Sequence, residues 1–262
     1  MASWMIHFRI AEALLDAKAL GDIPDGDILT AFIVGNIAPD SGVPSPDGRG
    51  YVPCKDTSHF MRVFDSAPDG LRDRCDANGY AEEWLIPALE RHDLVAAAFH
   101  LGYISHLVTD NAWLTSIVLP AKERFAHLRL EGGVETPEAV ARFYAFLKKD
   151  WYDMDFLFVK HHPDLSAYKI FLDSPYFENR FLPFFPEDAF EIKRREIERF
   201  YRRGTVEVEE RETYMAEGEA DEFVSNARAE IFEKFGDFFS AVSLELTSCS
   251  RIEYEFMVQL EQ

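Results

Sequence analysis

The chain has 262 residues, of which 47% are hydrophobic and 14% aromatic, and it carries a formal net charge of −20 at pH 7. This composition supports a sizeable core and excludes a disordered chain. The negative charge repels polyanions, so neither long nucleic acids nor anionic membrane surfaces are expected partners. No uninterrupted apolar run reaches the roughly 18 residues that indicate a transmembrane segment.

The cysteines and the N-terminal stretch both favour a reducing cytoplasm as the location. Cys54, Cys75 and Cys249 form no CxxC pair and no disulfide framework. The first helical pattern contains Arg9 and Glu12 and has neither a basic start nor a small-residue cleavage site. We therefore do not expect a secretory signal peptide.

Helical periodicity dominates the chain from its start. Ser3, Asp93 and Thr136 each precede an apolar-periodic segment and are expected to cap a helix there. A Pro follows Thr136 directly, which strengthens that helix start. The predicted helices cover residues 4–19, 27–36, 80–91, 93–118, 137–160, 187–203 and 219–245.

The segments between these helices are predicted to be irregular. Residues 40–58 are rich in Gly and Pro and are predicted to form a loop, as are residues 66–79. The acidic segment 205–221 is expected to be a hairpin or a solvated loop. No repeat or βαβ rhythm is present, so we predict an all-α fold in one domain, 1–262. Residues 1–160 are its functional core, which residues 161–262 complete or cap.

The stretch "GYISHLVTD" places two polar residues within an apolar helical run. His106 and Asp110 are four residues apart and therefore share one helix face, together with Gly102 and Trp113. A buried histidine and a buried carboxylate need partners. Either they hydrogen-bond to each other, or they chelate one metal ion.

Three further polar residues are ambiguous when taken singly. His7 lies on the apolar stripe of the first helix, and it is either a hydrogen-bonded core residue or a ligand. Asp40 follows Pro39 in a turn, where it is either a turn or cap residue or a rigidly held functional carboxylate. His59 is expected in the first turn of a helix capped by Thr57 or Ser58. Such imidazole and carboxylate donors suit Zn²⁺, with Mn²⁺ or Fe as alternatives.

Other His and acidic residues are weaker candidates for the same site. His127 and Glu131 share the i, i+4 spacing, and two later clusters combine acids or histidines. Solvated charge explains these residues equally well. The weaker candidates are His100, His127, Glu131, Asp150, Asp153, Asp155, His161, His162 and Asp164.

The order of these motifs resembles the zinc-dependent phospholipase C family. The motifs are an early helical histidine (His7), "GNIAPD" ending at Asp40, "SHF" around His59, and "GYISHLVTD". The resemblance covers roughly residues 3–115. The later "DWYDMDFLF…HHPDLSAY" resembles a stretch found in the small cytoplasmic bacterial branch of the family.

The resemblance implies an all-α, multi-helix bundle similar to that of the single-strand nucleases. It implies one zinc at Asp40, His59, His106 and Asp110, and a second at His7 and Asp110. It also implies that Asp40 is the general base. The expected reaction is metal-assisted hydrolysis of a small phosphodiester or phosphomonoester, with phospholipid as a further candidate substrate.

Two alternatives remain open at this point. An HD-type metal phosphohydrolase would use His59, the pair His92–Asp93 and a later aspartate. A non-catalytic helical binding protein would retain a structural metal, and the loop 40–58 and the acidic segment 205–221 would then be partner surfaces.

Overall fold

Helices make up most of the chain in the computed structural model, which describes residues 1–22, 26–65, 73–131, 133–174, 177–204, 206 and 215–260. The predicted all-α class is confirmed. The helices are α1 (Trp4–Asp16), α2 (Asp27–Ile37), α3 (Lys55–Ser58), α4 (Ala77–Tyr80), α5 (Ile86–Glu90), α6 (Leu94–Trp113), α7 (Leu119–Arg124), α8 (Pro137–His161), α9 (Ser166–Asp173), α10 (Ala189–Arg203) and α11 (Glu217–Leu260).

The described strands are short and pair as antiparallel hairpins. Their pairs are β1 (Val43–Pro44) with β2 (Tyr51–Val52), β3 (Met61–Val63) with β4 (Asp73–Cys75), and β5 (Leu130–Glu131) with β6 (Val134–Glu135). The segment predicted as one loop, 40–58, therefore contains a hairpin and the single turn of α3. Residues 66–72 and most of 205–221 lie outside the described residues, so those loop predictions are untested there.

The three predicted N-caps are confirmed. The side chains of Ser3, Asp93 and Thr136 each accept a hydrogen bond from the backbone N–H three residues later. Each bond satisfies one of the N–H groups that a helix start leaves without an intrahelical partner.

Several helix bounds differ from the prediction. A π-helical turn, Ala81–Leu85, joins α4 to α5, and another, Leu114–Val118, joins α6 to α7. Helix α9 was not predicted. Glu12 of α1 caps it, because its carboxylate accepts the N–H groups of Ser166 and Ala167. This cap comes from a residue 154 positions away, so no local signal indicates it.

Helices α2 and α6 cross with their backbones in contact. A Cβ atom added to Gly35 would lie 2.0 Å from the carbonyl oxygen of Phe99, and one added to Gly102 would lie 2.0 Å from that of Phe32. Only glycine allows this separation, because any side chain at either position would overlap the opposing backbone. The crossing brings the C-terminal end of α2 against the middle of α6.

The C-terminal helices share the hydrophobic core of the N-terminal ones. Phe239 of α11 packs edge-on against Phe32 of α2, with ring centroids 6.2 Å apart. Ile197 of α10 is fully buried in the same hydrophobic cluster. This shared core supports our proposal that the chain forms a single domain. None of the described helices is long and apolar enough to cross a membrane.

Replacing Gly102 by alanine should destabilise the fold strongly. The new methyl group would meet the Phe32 carbonyl oxygen, and such overpacking lowers the free energy of unfolding by about 3 kcal/mol. Gly236 in α11 is the matched control, because a Cβ there meets no atom of the described residues within 4 Å. Gly236→Ala should raise stability by about 0.5–1 kcal/mol through helix propensity. Urea titration measures both, and equal midpoints for wild type and Gly102→Ala would contradict the described crossing.

Candidate metal centre

His106 is held by the crossing of α2 and α6. Its side chain is fully buried, and its Nδ1–H donates to the carbonyl oxygen of Asn36 over 2.8 Å. This bond leaves the lone pair of Nε2 free, and Nε2 lies 3.7 Å from Oδ2 of Asp110. Burial, with a smaller effect of His7, lowers the pKa of His106 to about 3. The imidazole is therefore neutral, which is the form that binds a metal.

His59 follows the last residue of α3 and does not begin a helix, so that part of the prediction is wrong. Its backbone N–H donates to the carbonyl oxygen of Lys55 and so closes the helical turn. Phe60, with φ of +49°, then redirects the chain into β3. Ser58 Oγ lies 3.0 Å from Nδ1 of His59 and fixes the ring. Nε2 lies 3.3 Å from Asp40 Oδ1 and 3.6 Å from Asp110 Oδ2.

His7 lies on the buried face of α1 and stacks on His106. The two ring centroids are 3.7 Å apart, and the ring planes differ by 5°. His7 Nε2 is 3.5 Å from Oδ1 of Asp110. Both ring nitrogens of His7 are buried without a hydrogen-bond partner among the described residues. A histidine that only filled the core would normally have at least one such partner.

Asp40 ends the short 3₁₀ turn Ala38–Asp40 that follows α2. Its side chain is 13% exposed, which makes it the most accessible carboxylate of the cluster. Burial raises the pKa of Asp40, but the contact with His59 and the nearby His106 outweigh burial. The pKa therefore lies well below its ordinary value, and the carboxylate is ionised at neutral pH.

Asp110 is the centre of the cluster. Its carboxylate lies within 3.5–3.7 Å of a nitrogen of each of the three imidazoles. Oδ1 also accepts the backbone N–H of Ala2 over 2.9 Å. Burial raises the pKa of Asp110, but the positive amino terminus and the neighbouring histidines hold it well below its ordinary value.

These five side chains form two overlapping groups of donor atoms. One group contains His7, Asp40 and His106, and the other contains His59, His106 and Asp110, with the donor atoms of each group within 4.8 Å of one another. Within the part of the chain that the structure describes, Nε2 of each of these three histidines and Oδ2 of Asp110 are buried without a hydrogen-bond partner. Unsatisfied buried atoms are costly, and cations bound by these groups would satisfy them.

The remaining histidine candidates lie elsewhere. His100 pairs with the hydroxyl of Tyr80, 2.8 Å away. His127 and His161 are exposed, and His162 stacks on the ring of Phe158.

The remaining acidic candidates have their own partners. Glu131 pairs with Arg142, Asp153 with Lys149, and Asp164 with Lys169. Asp150 accepts the backbone N–H of Met215, and Asp155 binds two hydroxyl groups.

Sequence reasoning missed the groups that orient the imidazoles. The partner of His106 is a backbone carbonyl, for which the sequence has no signal. The sequence indicates Ser58 as a helix cap, although its place directly before His59 also allows it to bond that ring. Such partners fix which ring nitrogen is available to a metal.

The family model for zinc dependent phospholipase C matches residues 6–169. The chain belongs to the zinc-dependent phospholipase C family. It is therefore a metal-dependent phosphoester hydrolase, and the family's zinc agrees with the donor types in the cluster. The matched segment contains all five clustered residues. Comparisons with curated proteins and with solved structures gave no match.

A cleft of about 800 Å³ leads to the cluster of this phospholipase C family member. Asp40 and His59 line the cleft. His7, His106 and Asp110 lie behind them and are almost fully buried. A molecule in the cleft therefore meets Asp40 and His59 first.

A buried carboxyl group supports α1 beside the cluster. Asp155 of α8 accepts hydrogen bonds from Ser3 Oγ over 2.8 Å and from Tyr201 Oη over 2.9 Å. Tyr201 in turn accepts the backbone N–H of Met5. Burial raises the pKa of Asp155 to about 7, against the opposing effect of these two hydroxyl groups.

Asp155→Asn should change how stability depends on pH. The folded-state pKa of Asp155 lies above its ordinary value of 3.8, so the folded chain loses stability as pH rises from about 4 to about 7. The asparagine does not ionise, so the variant should gain about 2–3 kcal/mol relative to wild type between pH 5 and pH 8. Urea unfolding at both pH values measures this gain.

Asp164→Asn removes an exposed carboxylate and serves as the control. Its stability relative to wild type should change much less over the same interval. A constant difference between Asp155→Asn and wild type would contradict the raised pKa.

Proposed function

We propose that Asp40, His59, His106 and Asp110 bind one zinc ion and that His7 and Asp110 contribute to a second. The observation that carries this proposal is the convergence of buried, unsatisfied imidazole nitrogens on the carboxylate of Asp110. The donors are nitrogen and oxygen only, a set that suits Zn²⁺ and that Mn²⁺ or Fe can also use.

The proposed substrate is a small phosphodiester or phosphomonoester, with a phospholipid headgroup included. Zinc, when bound, acts as a Lewis acid on a phosphoryl oxygen and lowers the pKa of coordinated water to about 7. The cleft is large enough for a small organic phosphate but is too small to enclose a polymer.

Asp40 is the proposed catalytic residue. Its ionised carboxylate faces the cleft and accepts a hydrogen bond from the attacking water, which it thereby orients. As the bond between the water oxygen and phosphorus forms, Asp40 takes the proton. The bond from phosphorus to the leaving oxygen breaks, and a proton from solvent in the cleft neutralises that oxygen.

The contacts of His92 and Asp93 do not support the HD-type alternative. His92 is exposed and pairs with Glu245, and Asp93 caps α6. Neither residue belongs to the donor group that contains His59. A purely structural metal is disfavoured by the cleft, which leaves Asp40 and His59 accessible to a substrate.

We also propose the cytoplasm as the location of the enzyme. The thiols of Cys54 and Cys75 are both free, which suits a reducing compartment.

His106→Ala should lose bound metal while the protein remains folded. The change removes a donor shared by both groups, and loss of one ligand weakens metal binding by at least about tenfold. His100→Ala is the matched control, because His100 is a buried histidine on the same helix that bonds Tyr80. Elemental analysis gives the metal content and circular dichroism the fold. Equal zinc content in the two variants would contradict the proposed ligands.

Asp40→Asn should abolish hydrolysis. The amide can neither take a proton nor carry charge, so kcat for a chromogenic phosphodiester should fall by at least about 100-fold. Asp56→Asn changes an exposed aspartate on nearby α3 and should keep wild-type activity. A chelator should inactivate the wild type, and added zinc should restore it. Activity that survives both the chelator and Asp40→Asn would overturn the proposal.

A further inference from the structure

The cleft that leads to the cluster carries more basic than acidic side chains, in contrast to the whole chain. Lys55, Lys148 and Lys193 line it, and Asp40 and Glu196 are its acidic lining residues. The 262-residue sequence has 27 lysines and arginines and 47 acidic residues. An excess of lysines on this wall is therefore not explained by the overall composition.

Lys193 of α10 is built into the wall of the cleft. Its side chain is only 7% exposed, and its Nζ lies 2.6 Å from Glu196 and 5.0 Å from the centroid of the Trp4 ring. The carboxylate of Glu196 and the face of the Trp4 ring are thus the contacts of this buried side chain. The contacts hold the ammonium group in a fixed position on the cleft wall.

Lys55 and Lys148 have no such partner among the described residues. Both are exposed, and within the described part of the chain neither ammonium group lies within 4.0 Å of a carboxylate. Lys149 is the next residue along α8. Its ammonium group pairs with Asp153 over 2.5 Å, and it does not line the cleft. In a chain this acidic, two unpaired ammonium groups that face one cleft are available to an anion.

The three lysines come from three different elements around the cleft. Lys55 begins α3, the turn that ends just before His59. Lys148 shares one face of α8 with Tyr144 and Trp151, which also line the cleft, and Lys193 belongs to α10. The cleft therefore combines aromatic surface with positive charge, and this charge disfavours a cationic substituent on the substrate.

We propose that Lys55, Lys148 and Lys193 form an anion subsite, so that the preferred substrate is a phosphoester carrying a second negatively charged group. This inference rests on the proposed function, in which the cluster holds the phosphate that is cleaved. The second group is a phosphate or a carboxylate on the part of the substrate that remains in the cleft. A free phosphoester and a lipid headgroup share this chemistry.

A matched pair of soluble diesters tests the subsite. Glycerophosphoinositol 4-phosphate and glycerophosphoinositol differ only in a second phosphate group, and phosphorus NMR follows cleavage of the diester in each. The wild type should show a higher kcat/KM for the phosphorylated diester. An equal or lower kcat/KM for the phosphorylated diester would overturn the proposal.

Three lysine variants assign the preference to the cleft. Lys148→Ala and Lys55→Ala should each lower the ratio of the two kcat/KM values by about three- to fivefold, the effect of one exposed ion pair. Lys149→Ala removes the neighbouring lysine and should leave the ratio unchanged. A preference that survives both Lys148→Ala and Lys55→Ala would also overturn the proposal.

Binding to metal-free protein separates this inference from the proposed function. Inositol 4-phosphate should quench the tryptophan fluorescence of the wild type, which Trp4 and Trp151 in the cleft report. The quenching should be weaker in Lys148→Ala and in Lys55→Ala. In Lys149→Ala it should equal that of the wild type. If neither diester is hydrolysed with zinc present but this binding pattern holds, the proposed function fails and the subsite stands. If hydrolysis is chelator-sensitive but the binding pattern is absent, the proposed function stands and the subsite fails.

Vesicles identify the source of the anionic group. Phosphatidylcholine vesicles containing phosphatidylinositol 4-phosphate or phosphatidylinositol present the same two headgroups in lipid form. If the vesicles also show a lysine-dependent preference for the headgroup with the second phosphate, the anionic group belongs to a lipid. If only the soluble diesters show this preference, the anionic group belongs to a free phosphoester. Loss of the lysine dependence in both arms contradicts the subsite.

Discussion

The contact between the backbones of α2 and α6 is the constraint on which the cluster depends. Gly35 and Gly102 have no side chain, so the two helices approach until the carbonyl groups of one lie where a Cβ atom of the other would be. At this separation the carbonyl oxygen of Asn36 reaches Nδ1 of His106 and fixes the ring. The turn that follows α2 then places Asp40 on the cleft side of the same cluster.

Burial gives the cluster its chemical character. It keeps His106 neutral, whereas the contact with His59 keeps Asp40 ionised, and the amino terminus and the nearby histidines keep Asp110 ionised. Two ionised carboxylates next to a neutral imidazole leave negative charge that a divalent cation would balance. A bound cation would also reverse the local field, so that an anionic substrate could approach a chain of net charge −20.

The sequence predicts those parts of the site that have a local pattern. His106 and Asp110 are four residues apart on one helix, and Gly102 lies one turn earlier on the same face, so helical periodicity alone places them together. His7 was ambiguous by itself and became a candidate only through the ordered motifs. The position of His59 was predicted, but its local structure was not, because the pairing of β3 with β4 displaces the expected helix.

Features that depend on distant contacts could not be predicted. Helix α9 is capped by Glu12 from α1, and Asp155 accepts hydrogen bonds from Ser3, the N-cap of α1, and from Tyr201 of α10. Lysines on amphipathic helices normally lie in solvent, so nothing in the sequence separates Lys148, which lines the cleft, from Lys149, which does not. Only the packing of α3, α8 and α10 around one cleft makes that distinction.

X-ray absorption at the zinc edge of the zinc-loaded protein tests the central claim most directly. Our account predicts nitrogen and oxygen ligands at about 2.0–2.2 Å, with the outer-shell scattering of imidazole rings. Sulfur at about 2.3 Å, or a spectrum without imidazole scattering, would contradict it, because the cluster contains no thiolate donor.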